Sequence, residues 1–287
     1  MTADHLNTPH ENEASLPLGK EVSYPRDYNP SLLFSIARAQ GRAQLDALAQ
    51  VTTLPFIGWD LWRGYELSWL KPSGLPATAI LKVWVPCDSP FIVESKSFKL
   101  YLNSLNHTVF ADTAALLACI ERDLNHAIGA QARMALVLPA DFEREPIEEL
   151  LTGCLDEQSI SITDYQPNAE LLNNCTAPNV KTEHVFSRLL KSNCPVTGQP
   201  DWATLHIGYQ GHAIDHAALL KYIVSYRDHQ GFHEQCVERI FCDIMKRCQP
   251  QTLSVYARYT RRGGMDINPW RATPGTEPPN LLRSAQQ

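Results

Sequence analysis

The sequence of 287 residues lacks the short motifs that mark many cofactor-binding and metal-binding proteins. Its 14 glycines form neither G-x-G-x-x-G nor G-x-x-x-x-G-K-[ST], which argues against a Rossmann or P-loop nucleotide site. H-E-x-x-H is missing, and the eight cysteines form no C-x-x-C pair, which excludes zinc-ribbon and thioredoxin-like proteins. We therefore expect no metal centre.

The sequence also lacks an excess of positive charge. It has 25 basic and 31 acidic side chains, a formal net charge of −6, so nucleic acid is not an expected partner. No apolar run approaches the roughly 18 residues of a membrane span, and residues 1–20 are polar and acidic, without the charged and then apolar pattern of a signal peptide. We expect a cytoplasmic protein without a membrane partner, whose cysteines are thiols.

Hydrophobic periodicity predicts an α+β protein made of two similar halves. Residues 1–30 lack periodicity and indicate a flexible lead-in, and the proline-rich tail from Asn268 indicates irregular chain. Each half is predicted to run strand–strand–helix–helix–strand, with an offset of about 120 residues that indicates a duplicated module. The expected modules are residues 31–155 and 156–287.

Alternation and helical spacing place the elements within each half. In the first half we predict strands at 59–70, 78–85 and 134–138, helical spacing at 98–105, and a helix at 113–128. In the second half we predict strands at 184–190, 202–209 and 253–259, and helices at 217–226 and 232–248.

The loop 192–202, S-N-C-P-V-T-G-Q-P-D-W, is the first candidate for chemistry. Pro195 forces Cys194 into an extended or turn conformation, where its thiol can be exposed. Asp201 lies seven residues later and can fold back beside the thiol. That pairing suits a thiolate nucleophile with a proton donor, although a solvated loop with an incidental cysteine is the alternative.

Three further segments can bind a polar ligand. His233 and Glu234 open the clearest amphipathic helix and can grip a polar heterocycle, although the helix dipole alone also favours an acid there. The segment 94–99, E-S-K-S-F-K, can hold an anion and a donor-rich base edge, or can be a capped helix start. The segment 261–264, R-R-G-G, can cradle phosphate or form an ordinary turn.

Taken together, these motifs resemble the QueF family, the NADPH-dependent 7-cyano-7-deazaguanine reductases of queuosine biosynthesis. The resemblance covers nearly the whole chain in its long, bimodular form, and no motif position departs from it. It is carried by E-S-K-S-F-K with Tyr101, by C-P-V-T-G-Q-P-D-W from Cys194, by His233-Glu234 and by R-R-G-G from Arg261.

The resemblance implies a tunnelling fold (T-fold) in each half, an antiparallel sheet backed by helices. It also implies reduction of a nitrile to a primary amine with two equivalents of NADPH. By this resemblance, Cys194 would add to the nitrile carbon as a covalent thioimide and Asp201 would donate protons. A buried carboxylic acid suits that role if burial raises its pKa towards neutrality.

The remaining roles also follow from the resemblance. The guanine-like edge of 7-cyano-7-deazaguanine would be held by Glu94 and Glu234, and the same pocket would be lined by Ser95, Lys96 and His233. NADPH would contact Lys96, Ser97, Arg262 and Gly263.

Several alternatives stay open. A GTP cyclohydrolase-like, zinc-dependent T-fold enzyme would need Cys and His ligands whose spacing is missing, and a non-catalytic purine-binding T-fold protein would not need Cys194 and Asp201. The halves carry complementary motifs, so one composite site is expected, either within one chain or between chains. Exposed sheet edges favour a homodimer.

Overall fold

The computed structural model describes residues 24–149 and 152–287, and strands from both halves of the chain join in one seven-stranded antiparallel sheet. The strands are β1 Ser35–Ala37, β2 Ile57–Leu70, β3 Pro76–Pro86, β4 Phe91–Val93, β5 Arg133–Val137, β6 Thr176–Asn193, β7 Pro200–Ile214, β8 Thr252–Tyr259 and β9 Met265–Ala272. The α-helices are α1 Arg38–Arg42, α2 Ser95–Ser104, α3 Thr113–Ile128, α4 His216–Val224 and α5 His233–Cys248. Short 3₁₀ helices occur at Pro30–Leu32, Pro139–Arg144, Ala169–Leu172 and Ser225–Asp228.

The sheet order is β5-β3-β2-β9-β8-β7-β6, and β1 pairs with β4 in a separate two-stranded sheet. The first half contributes β5-β3-β2 and the second half β9-β8-β7-β6, with the two groups joined by antiparallel pairing of β2 and β9. The prediction of an α+β protein with an antiparallel sheet backed by helices is confirmed.

Amphipathic helices cover the sheet because their apolar stripes match its buried positions. In α5 the side chains of Val237, Ile240, Phe241 and Ile244 are fully buried, as the i, i+3, i+4, i+7 spacing predicts. Along β3, burial alternates with a period of two, as expected for a strand with one covered face. The α3 helix begins after the N-cap Asp112, whose side chain accepts from Ala115 N.

Each of the two large hydrophobic clusters contains residues from both halves of the chain. Leu45, Leu48 and Phe56 belong to the cluster formed mainly by the second half, whereas Met265 and Ile267 belong to that of the first half. The halves therefore share both their sheet and their cores.

The prediction of an irregular tail from Asn268 is wrong for its first residues, because β9 is an interior strand buried along its whole length. Its polar residues have partners: Asp266 pairs with Arg63, and the side-chain amide of Asn268 donates to Leu61 O. The pairing of β9 with β8 begins only at Trp270, so Pro269, which has no N–H to donate, faces no partner residue of β8.

A buried ion network ties β9 to the helices. Arg271 of β9 contacts Asp60 of β2 at 2.8 Å and Glu238 of α5 at 2.9 Å. Arg38 of α1 contacts Asp60 at 2.5 Å, and Arg42 contacts Glu238 at 2.7 Å. These contacts hold α5 against α1, β2 and β9 at Glu238, which lies a little more than one turn after the first residue of α5.

The predicted lead-in, residues 1–30, lies mostly outside the described residues. In its described part, Tyr28 donates to Asp123 of α3 at 2.6 Å, and Asn103 of α2 donates to Pro25 O. Within the described ranges, none of the helices is both long and apolar enough to span a bilayer.

Candidate active site

Cys194 lies in the tight connection between β6 and β7. Its N–H donates to Gln199 O, and its carbonyl accepts from Gly198 N, both at 2.9 Å. Gly198 has φ +68°, a left-handed conformation that glycine adopts without strain. The side chain is only 3% exposed, so this loop does not present its thiol to bulk solvent.

Asp201 is brought back beside this loop by the hairpin register, in which it pairs with Ser192. Its Oδ2 lies 3.3 Å from His233 Nε2, and its Oδ1 lies 3.2 Å from Arg262 Nη1. Burial acts to raise the pKa of Asp201, but the hydrogen bond and charge of His233 outweigh it, helped by Arg262. The pKa of Asp201 is lowered as a result, so the condition of a pKa raised towards neutrality is not met in the free protein.

His233 and Glu234 form the first residues of α5, which begins after the N-cap Phe232. The His233 ring stacks on Tyr259 with ring centroids 3.6 Å apart. His233 Nδ1 and Glu234 Oε1 are both buried and have no hydrogen-bond partner among the described residues. Burial raises the pKa of Glu234, and the nearby charge of Asp60 adds to the effect.

Glu94 is the N-cap of α2 and is 1% exposed. Its Oε1 accepts from Lys96 N and its Oε2 accepts from Ser97 N, both at 2.7 Å. Ser97 is fully buried, where its hydroxyl donates to Glu94 O and accepts from Phe34 N. The segment 94–99 is therefore a capped helix start, of which Ser95 alone lines the cavity described below.

Basic side chains gather where α2 meets the turn after β8. Gly263 has φ +57°, and a Cβ built on it would lie 3.2 Å from Lys99 Nζ. Burial and the charge of Arg262 lower the pKa of Lys99. Two cations beside a turn of open backbone fit the phosphate groups of a dinucleotide. Lys96 and Lys99 are one helical turn apart on α2, so their spacing would have allowed Lys99 to be added to the predicted site.

A small cavity brings six of the predicted site residues together, whereas Glu94, Lys96, Ser97 and Gly263 do not line it. It has room for about 30 Å³, and its walls include Ser95 and Val93 of the first half. Its walls from the second half include Cys194, Asp201, His233, Glu234 and Arg262. A larger cavity of about 380 Å³ shares Pro195, Gly231 and Phe232 with it.

Some wall residues were not predicted from the sequence. Trp62, Phe232 and Ile267 line the small cavity, but as apolar residues they carry no signal that separates them from ordinary core residues. Within residues 24–149 and 152–287, no group of three or more His, Cys, Asp or Glu side chains is arranged to hold a metal ion.

Two family models and several named proteins match this sequence. Residues 24–136 match the family model described as nitrile reductase, 7-cyano-7-deazaguanine-reductase N-term, and residues 200–277 match that of QueF-like protein. The NADPH-dependent 7-cyano-7-deazaguanine reductase of Bordetella avium is 53% identical over 94% of this chain and 98% of its own. The protein of the same name from Paraburkholderia phymatum is 52% identical over the same shares.

One solved structure, the archaeosine synthase QueF-Like in the apo form, has a TM-score of 0.30 and 16% identity, covering 35% of this chain and 99% of its own. A likeness that low carries no argument. The sequence matches, by contrast, define a class of oxidoreductases that act on nitriles. The chain belongs to the QueF family of 7-cyano-7-deazaguanine reductases.

Proposed function

We propose that this protein reduces the nitrile of 7-cyano-7-deazaguanine to an aminomethyl group with NADPH, in queuosine biosynthesis. The observation that carries the proposal is the pair of unpartnered buried atoms, His233 Nδ1 and Glu234 Oε1, in the cavity that Cys194 also lines. A buried acceptor without a donor is costly unless a ligand supplies one. The family relationship names a ligand with that chemistry.

Glu94 and Glu234 hold the donor-rich edge of the substrate in this proposal. An ionised carboxylate offers about four lone-pair sites. Glu94 uses three of them, for the N–H groups of Lys96 and Ser97 and for the Ser95 hydroxyl, which leaves capacity for one ring N–H or amino donor. Leaving such donors unpaired would be unfavourable, so the pair gives specificity for a guanine-like base.

Cys194 is the proposed nucleophile and Asp201 its proton partner. Because the pKa of Asp201 is lowered, its carboxylate is ionised in the free protein and can accept the thiol proton. The Cys194 sulfur then forms a bond to the nitrile carbon as one C–N π bond breaks. Asp201 returns the proton to the nitrogen, which gives a thioimide.

When bound, NADPH would supply one hydride to each of the two successive reductions. The residues proposed to hold it are Lys96, Ser97, Arg262 and Gly263. The hydroxyl of Ser97 is buried and donates to Glu94 O, so Ser97 would act by shaping the first turn of α2. Arg262, in contrast, lines the cavity directly.

The small cavity has room for about one water molecule, so substrate entry requires its walls to move. The adjoining cavity of about 380 Å³ is separated from it by the shared segment around Gly231 and Phe232. We therefore expect this segment to shift when the base binds.

The test is to mix purified protein with 7-cyano-7-deazaguanine, record the absorbance and measure intact mass. A new absorbance band and a mass adduct are expected, and both should be lost in Cys194→Ala and kept in the matched control Cys154→Ala. No adduct and no substrate-dependent NADPH oxidation by folded protein would refute the proposal.

Mixing two variants tests whether each site is built within one chain. The walls from both halves in one cavity support a site within the chain. A mixture of Cys194→Ala and Glu94→Ala proteins should then remain inactive, whereas activity regained would require a site between chains.

We further propose that the protein is cytoplasmic and that it acts on a free base, without a nucleic-acid or membrane partner. Among the described strands, β5 and β6 end the sheet with one side unpaired. Such edges favour pairing with a second copy, so we propose a homodimer.

A further inference from the structure

Two cysteines outside the candidate active site place their sulfur atoms side by side. Cys175 directly precedes β6, and Cys248 is the last residue of α5. Their Sγ atoms lie 3.6 Å apart, and the residues are 8% and 4% exposed. Neither residue lines the cavity that contains Cys194.

The backbone turns sharply next to each of the two cysteines. Asn174 has φ +54° and Gln249 has φ +49°, so the chain turns in a left-handed conformation immediately before Cys175 and immediately after Cys248. Asp215 N donates to Cys175 O at 2.7 Å, which fixes the position of Cys175 beside α4. A disulfide needs the sulfurs about 2.05 Å apart, so closure requires a shift of about 1.6 Å.

The two thiols also differ in acidity. The hydrogen bond with Cys248 lowers the pKa of Cys175, whereas the same bond and burial raise the pKa of Cys248. Since the thiolate is the reactive form, Cys175 is the sulfur that reacts first and Cys248 the one that resolves it.

We propose that Cys175 and Cys248 are a redox-active dithiol that hydrogen peroxide converts to a disulfide. The Cys175 thiolate attacks one peroxide oxygen, so an S–O bond forms as the O–O bond breaks and hydroxide leaves. The Cys248 sulfur then attacks Cys175, and the S–S bond forms as water leaves. Two thiols are oxidised, and the peroxide is reduced to two molecules of water.

The bond would join the start of β6 to the end of α5 and close a long loop of the chain. Cross-linking distant residues constrains the unfolded chain, so the oxidised protein should unfold at a higher temperature. His233 and Glu234 lie at the other end of this 16-residue helix, about 22 Å along its axis, so the dithiol is separate from the candidate active site.

The test treats the full-length protein with hydrogen peroxide, blocks remaining thiols, and maps peptides without reductant. The expected result is a cross-linked peptide pair containing Cys175 and Cys248, lost on treatment with dithiothreitol. The thermal midpoint should rise by several degrees on oxidation and return on reduction.

Three variants make the result specific. Cys175→Ala and Cys248→Ala should each lose the cross-link and the rise in midpoint, whereas Cys154→Ala, which removes an exposed cysteine, should keep both. Oxidation confined to other cysteines, with Cys175 and Cys248 recovered as blocked thiols, would overturn the proposal. So would a cross-linked protein whose thermal midpoint does not rise.

Discussion

Glu234 is expected to lower the stability of the free protein, and Glu234→Gln should therefore raise it. The side chain is 3% exposed, and its Oε1 has no hydrogen-bond partner among the described residues. Burial and the charge of Asp60 raise its pKa, which shows that the folded protein disfavours the ionised form. The substitution removes the charge and keeps the shape.

The size of the effect follows from removing the buried charge, which costs about 1.4 kcal/mol for each unit by which the folded pKa exceeds the unfolded one. For a domain of this size, each kcal/mol shifts the thermal midpoint by about 2–4 °C. We expect a rise of several degrees at pH 7. The same substitution should reduce kcat/KM by about 10- to 150-fold, because a hydrogen bond to a charged group contributes about 1.5–3 kcal/mol.

The pH dependence identifies the cause. An acid whose folded pKa is raised destabilises the protein only above its unfolded pKa, 4.5 for glutamate. The gain from Glu234→Gln should therefore be present at pH 7 and absent at pH 4, as measured by thermal denaturation.

Glu238→Gln is the matched control, one turn further along the same helix. Its carboxylate contacts Arg271 and Arg42, so burial is outweighed and its pKa is lowered. This control should lose stability at pH 7. If both variants lose stability at pH 7, or if the gain from Glu234→Gln persists at pH 4, the reasoning is refuted.

Three further predictions concern buried charges. Arg271→Met should lower the free energy of unfolding by about 3–5 kcal/mol in urea titration, because Asp60 and Glu238 lose a shared partner; a change below 1 kcal/mol would contradict this. Asp201→Asn should lower the thermal midpoint at pH 7. A carboxyl group whose pKa is lowered in the folded protein stabilises the protein at pH values above its ordinary pKa of 3.8, and this stabilisation is lost as the pH falls below 3.8. A gap between the two proteins that stays constant from pH 7 to pH 3 would exclude that cause. Burial lowers the pKa of His206 to about 2, so the free energy of unfolding decreases as the pH falls below 6.5. The variant His206→Phe should remove about 1.4 kcal/mol of that decrease at pH 5.5. Parallel stability curves for His206→Phe and the unsubstituted protein would show that His206 does not titrate in this way.

Local patterning was sufficient to predict most of the regular elements. The predicted helix 113–128 and the buried stripe of α5 agree with the structure, because periodicity of apolar residues depends only on neighbours along one element. The predicted strand 184–190 is shorter than β6, which extends to Thr176 through residues that are mostly exposed. Exposed edge residues carry little alternation, so the pattern did not show that extension.

The strand β9 could not be predicted from its own residues. Asp266, Pro269 and Arg271 are unfavourable in an interior strand when considered alone. The partners of Asp266 and Arg271 come from β2 and α5, which are distant in the sequence. Only the assembled sheet makes these residues acceptable there.

The sequence by itself determined which residues are chemically suited to the candidate site and which elements carry them. Tertiary structure decided that Ser95 and Cys194, from different halves, line one cavity, because β2 and β9 join the halves in one sheet. It also decided the charge of Asp201. Burial alone raises a carboxyl pKa, and the opposite sign arises because folding places His233 and Arg262 within about 3.3 Å of it.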